Sequence, residues 1–131
     1  MKNTIFKLLE YLYYFLLVIL FVLYLFPGSL MGYFLYGNLG QQPDFISNPI
    51  GTSINHLISF IFLSSLAFIV RVKEKKFINS FKFLFFISIL LEILHRYIPN
   101  RAFEYYDLFA NFIGVILAYL LIQLILKIKI K

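Results

Sequence analysis

The chain has no cysteine and no tryptophan. The lack of cysteine removes disulfides, thiolate nucleophiles and cysteine-based zinc sites from consideration. Charge is scarce too: 14% of the 131 residues are Asp, Glu, Lys or Arg, where a soluble domain carries about 25%. No polar stretch is long enough to form a separate water-soluble domain, so one domain over residues 1–131 is expected. What remains is apolar, 62% of the chain, with 17 Phe, 10 Tyr and a mean hydropathy of +0.88. These values predict an integral membrane protein.

A formal charge of +6 would point to nucleic acid in a soluble protein. Here no nucleic-acid motif is present, and the basic residues sit at the ends of apolar runs, where they report topology. Runs over 5–26, 54–70, 77–94 and 108–126 predict four spans, the second short at 17 residues but within the accepted range. The expected fold is all-α, a membrane-spanning four-helix bundle. The first run has the basic start of a signal peptide. Its aromatic richness and the poor cleavage site Pro27-Gly28-Ser29 favour an uncleaved helix. Residues 27–52 hold five of the six glycines and three of the four prolines, with Asp44 as the only charge, which is loop composition. Within them Leu30 to Tyr36 is apolar and aromatic, fitting either a short interfacial or re-entrant helix or a hydrophobic loop packed on the bundle mouth.

The distribution of basic residues predicts the orientation. Ten of the 12 fall in the N-terminal segment, the 71–76 loop with Lys82, and the C-terminal tail; only Arg96 and Arg101 lie on the other side. The positive-inside rule therefore puts both termini in the cytoplasm, and the 27–52 loop and the 95–107 turn outside. The expected location is the bacterial cytoplasmic (inner) membrane, with several passes.

Helical spacing then gathers the unusual residues. Ser88, Glu92 and His95 share one face at the outer end of the third span, at i, i+4 and i+7. Asp107, Asn111, Gly114 and Ala118 share a face running from the outer end of the fourth, and Thr52, His56 and Ser59 do so on the second. Ionisable side chains in such helices cost roughly 2.5–3.5 kcal/mol at mid-bilayer, so they face the bundle interior or a wet cavity. One polar pocket open to the outer surface is predicted. Glu92, His95 and His56 suit general acid/base work there. Arg101 and Arg96 offer forked donors for phosphate or carboxylate, with Asp107 and Asn111 completing the binding set. Each has a plainer use: Asp107 as a helix N-cap, Asn111 with Gly114 and Ala118 as a packing seam, Arg101 as a turn ion pair. Two histidines and two carboxylates could also hold a zinc ion, but without compact His-x-x-x-His spacing that signal is weak, and no metal and no other cofactor is expected. Whether any bond is made or broken stays open.

Seven of these residues resemble the pattern of the VanZ-like family of small bacterial membrane proteins. That pattern has a Glu, a Gln or His three residues later, Pro-x-Arg, then Asp, Asn and Gly at fixed spacing. Glu92, His95, Pro99, Arg101, Asp107, Asn111 and Gly114 match it in order. An earlier His-Phe-x-x-Tyr type element is matched only at His56, with Phe60 in place of Tyr, and the preceding Asp-Lys is Thr52-Ser53 here. The resemblance covers about residues 50–120. It implies a cell-envelope membrane protein, and the family's founding member is linked to low-level glycopeptide (teicoplanin) resistance. Two functions follow as expectations. One is a pocket that binds or modifies an anionic membrane lipid or lipid-linked envelope precursor. The other is a non-catalytic structural or partner-binding bundle.

Overall fold

A computed structural model describes residues 2–43 and 51–129. Among the described residues the chain is all-helical, with α1 (Lys2–Leu25), α2 (Leu30–Tyr36), α3 (Gly51–Arg71), α4 (Phe81–His95) and α5 (Tyr105–Lys129), plus one 3-10 turn at Phe77–Asn79. Three helices are long and apolar enough to cross a membrane: α1, α3 and α5. Their outer surfaces are lined by exposed Leu8, Phe15 and Val18 on α1, Phe62 on α3, and Leu117, Leu121 and Leu124 on α5. A helix apolar on its outer as well as its inner face belongs in an apolar surrounding.

The apolar run at 77–94 behaves differently from a continuous span. It opens with the 3-10 turn, and α4 begins only at Phe81. The cause is local. Fully buried Asn79 accepts from Lys76 N and donates to Glu74 O, fixing a turn, while Ser80 caps the next helix by accepting from Phe83 N. At 15 residues α4 is about 22 Å long, short of the ~30 Å hydrocarbon core of a bilayer.

Leu30–Tyr36 does form a short helix, α2. Ser29 is its N-cap, and Gly37, at φ 68°, ends it in the left-handed conformation that glycine adopts without strain. The chain then folds back: Ser29 N donates to Leu39 O, and a Cβ on Gly32 would collide with the backbone of Gln41. Residues 44–50 of this loop, Asp44 among them, lie outside the described residues, and Gly51 and Thr52 already belong to α3.

α1 packs on α3 and α4, and α5 packs on the same two. The buried stripe Tyr13, Leu17, Leu20 and Tyr24 turns one face of α1 inward. Against it stand Phe60, Leu63 and Ala67 from α3, Leu84, Ile87 and Leu91 from α4, and Val115 and Ala118 from α5. α3 and α5 approach closely at Gly114, where a Cβ would meet Leu57 O and Phe60 Cβ at 2.9 Å.

The helix cluster has two chemically distinct ends. At one, Lys76 Nζ bridges Glu10 Oε1 at 2.6 Å, Tyr13 Oη donates to Ile78 O, and Arg71 holds Lys76 O and Asn79 Oδ1. At the other, the C-terminal ends of α1 and α4 meet the N-terminal ends of α3 and α5, and there most of the buried polar side chains gather.

Candidate functional site

Four helices contribute to one buried polar cluster. α1 brings Tyr24, α3 brings Ser53 and His56, α4 brings Ser88, Glu92 and His95, and α5 brings Asp107 and Asn111; all are buried. Their contacts form a single network rather than separate pairs.

Asn111 is the hub. Its Nδ2 donates to Ser88 O at 3.3 Å and Glu92 Oε2 at 3.4 Å, which turns Oδ1 the other way, toward Tyr24 Oη at 2.9 Å and His56 Nδ1 at 3.1 Å. Tyr24 Oη also lies 3.0 Å from His56 Nδ1. Glu92 Oε1 accepts from Glu104 N at 3.2 Å, and Oε2 meets His95 Nδ1 at 3.2 Å. The His95 ring stacks on Tyr24, and its Nε2 points at Tyr24 O, 3.1 Å away. A carbonyl only accepts, so Nε2 carries hydrogen. The Nδ1 edge of the same ring faces Glu92 Oε2. On the α3 side, Ser53 Oγ donates to Asp107 Oδ1 at 2.5 Å, and Asp107 Oδ2 stands 3.5 Å from His56 Nε2.

Beside the cluster is a cavity of about 100 Å³, lined by Tyr24, His56, His95 and Arg101, by Ser29, Asn55 and Ser59, and by the apolar Leu23, Leu30 and Met31. Arg101 is partly buried. Its Nη2 donates to Leu23 O at 2.7 Å and its Nε to Phe26 O at 3.4 Å, so it caps the carbonyls at the end of α1, where a cation complements the helix dipole. Burial lowers its pKa, and an arginine so shifted still keeps its charge at neutral pH. Asn55 Nδ2 donates to Pro43 O, while its buried Oδ1 has no partner among the described residues.

The structure brings together most of the residues expected at a site. His56, His95 and Arg101 line the cavity; Glu92, Asp107 and Asn111 stand behind that wall, bonded to it or to one another. Arg96 is elsewhere: it is exposed, and it does not line the cavity. Asp107 bonds Ser53 and faces His56, and Arg101 takes backbone carbonyls rather than an acidic partner in the turn. On α3 the buried partner is Ser53, not Thr52.

Tyr24 and Asn55 are site residues that spacing around Glu92–Gly114 does not reveal. Tyr24 reads as one more core aromatic in a chain rich in them. The available signal is its place on the Tyr13, Leu17, Leu20, Tyr24 stripe, which puts a phenol at the deep end of an inward face.

No protein-family model, no curated protein and no solved structure matches this chain.

Proposed function

We propose that this is a VanZ-like protein of the bacterial cell envelope. In this reading it is a four-helix bundle of the inner membrane, with both termini cytoplasmic, whose polar pocket opens outward. The pocket binds the anionic headgroup of a membrane lipid or lipid-linked envelope precursor. The orientation is supported by the lysine-rich ends of α1 and α5 and the basic 71–76 segment, all opposite the polar cluster.

One observation carries the ligand class. Arg101 lines the cavity as a partly buried cation, held only by neutral carbonyls, with no ion-pair partner among the described residues. A desolvated guanidinium of that kind suits a phosphate or carboxylate. The cavity of about 100 Å³ has room for roughly three waters or one phosphate-sized group. Leu23, Leu30 and Met31 supply apolar wall for the first part of a lipid tail. His56 and His95, each backed by a carboxylate, have the chemistry for acid/base work on a bound headgroup.

A second reading is favoured by a specific observation: Glu92 and Asn111 are fully buried and tie α4 to α5, which is what a structural cluster does. Native mass spectrometry on protein purified in mild detergent separates the two. On the binding reading, wild type retains an anionic lipid, and Arg101→Gln loses it while its melting temperature stays within a few degrees. Equal loss of lipid and of thermal stability in Arg101→Gln supports the structural reading instead.

A further inference from the structure

We propose that His56, Glu92 and Asp107 form a binding site for a divalent transition-metal ion. The site rests on the same residue cluster as the headgroup reading but not on a lipid being bound. One ligand atom from each of these three buried side chains lies within 4.8 Å of the other two. An ion at 2.0–2.2 Å from each ligand spans ligand atoms about 4 Å apart at most, so the triangle closes by less than about 1 Å on binding.

Hydrogen-bond logic supplies the independent observation. Asn111 Oδ1 is an acceptor, fixed in place because Nδ2 is committed to Ser88 O and Glu92 Oε2. Tyr24 Oη donates to it, and His56 Nδ1 lies 3.1 Å from it. In the neutral His56 ring, the Nδ1–H tautomer gives that contact a hydrogen. The Nε2 of the same ring then carries a lone pair. It makes no hydrogen bond among the described residues, and it faces Asp107 Oδ2 at 3.5 Å, another lone-pair atom. Two buried acceptors aimed at one point call for a positive charge between them.

The surroundings fit a metal's supporting shell. Metal-bound histidines donate the second ring N–H to an oxygen, as His56 Nδ1 does to Asn111. Each carboxylate has one oxygen tethered by a protein donor, Asp107 Oδ1 by Ser53 and Glu92 Oε1 by Glu104 N–H. Asp107 Oδ2 is left facing His56 Nε2 at 3.5 Å, while Glu92 Oε2, which also accepts from Asn111 Nδ2 and faces His95, lies 3.7 Å from His56 Nδ1. The cavity that His56 lines provides an entry path. An imidazole with two carboxylates suits zinc, cobalt or manganese rather than copper(I).

The test uses purified full-length protein in detergent, stripped with chelator and dialysed against Zn2+ or Co2+. Wild type is expected to retain about one ion per chain, and the cobalt form to show a visible ligand-field band. His56→Gln and Asp107→Asn should lower affinity at least tenfold, whereas Arg101→Gln should keep the ion even if it loses lipid. Retention no greater than a buffer blank means that a proton alone bridges His56 and Asp107, and overturns the site. Unchanged retention in His56→Gln places the ion elsewhere and overturns it equally. If those two variants do not fold, X-ray absorption on cobalt-loaded wild type decides: imidazole plus oxygen ligands support the site, and a shell without imidazole sinks it.

Discussion

Tyr24 Oη lies 2.9 Å from Asn111 Oδ1, although 87 positions separate the two residues. α1 and α5 face one another across α3 and α4, which pack on both. This bond therefore spans the interior of the helix cluster, and it brings the tyrosine hydroxyl to His56 as well. Tyr24→Phe keeps the ring stacked on His95 but removes the hydroxyl. Asn111 Oδ1 then loses a buried donor, and the expected cost is about 1–3 kcal/mol. A melting curve in detergent reads it. No change in melting temperature would mean that the hydroxyl is dispensable to the network.

Legibility in the sequence follows the physics of periodicity. Glu92 with His95, and Asp107 with Asn111, are three or four residues apart on single helices, so spacing alone puts each pair on one face. That the two faces meet depends on helix order and loop length, and here short connections made it inferable. Tyr24 was hidden because one phenol among 10 tyrosines has no local signature. Arg96 and Arg101 look equivalent in a turn, yet the left-handed Asn100, at φ 59°, redirects the chain there, and only Arg101 reaches α1. The late start of α4 was hidden for another reason. Phe77-Ile78 is apolar enough to join the span, and the hydrogen bonds of Asn79 override that preference.

Gly114 is expected to resist substitution more than the loop glycine Gly40. A methyl there meets Leu57 O and Phe60 Cβ at 2.9 Å and Ile61 N at 3.2 Å, atoms of a helix that cannot move singly. Gly114→Ala should destabilise by about 1–3 kcal/mol through overpacking. At Gly40 a methyl meets only Asn38 Oδ1 at 3.4 Å, so Gly40→Ala should be close to neutral. Equal melting temperatures for the two variants would contradict the close approach of α3 and α5.

Glu104 carries a pH dependence whose sign is defined. Burial, then repulsion from Asp107 and Glu92, raises its carboxyl above the ordinary value. The folded protein therefore holds this proton more tightly than the unfolded chain. Stability from this group is present below the unfolded carboxylate pKa and falls as pH rises through the folded one. Glu104→Gln removes the charge, so it should melt higher than wild type at pH 8 and alike near pH 4. Melting temperatures at the two pH values check this, and a lower value for the variant at pH 8 would reverse the sign.

The absence of cysteine makes the orientation directly measurable, because any engineered thiol is the only one in the chain. Tyr97, between α4 and α5, and Lys75, between α3 and the 3-10 turn, are both exposed and lie toward opposite ends of the helix cluster. With the polar end outward, a membrane-impermeant maleimide should label Tyr97→Cys in intact cells and Lys75→Cys only after permeabilisation. The opposite pattern would turn the Arg101 cavity toward the cytoplasm, where soluble anions compete for it and an outer-leaflet headgroup has no access. Labelling of both positions in intact cells would mean that the chain does not separate these two ends across a bilayer at all.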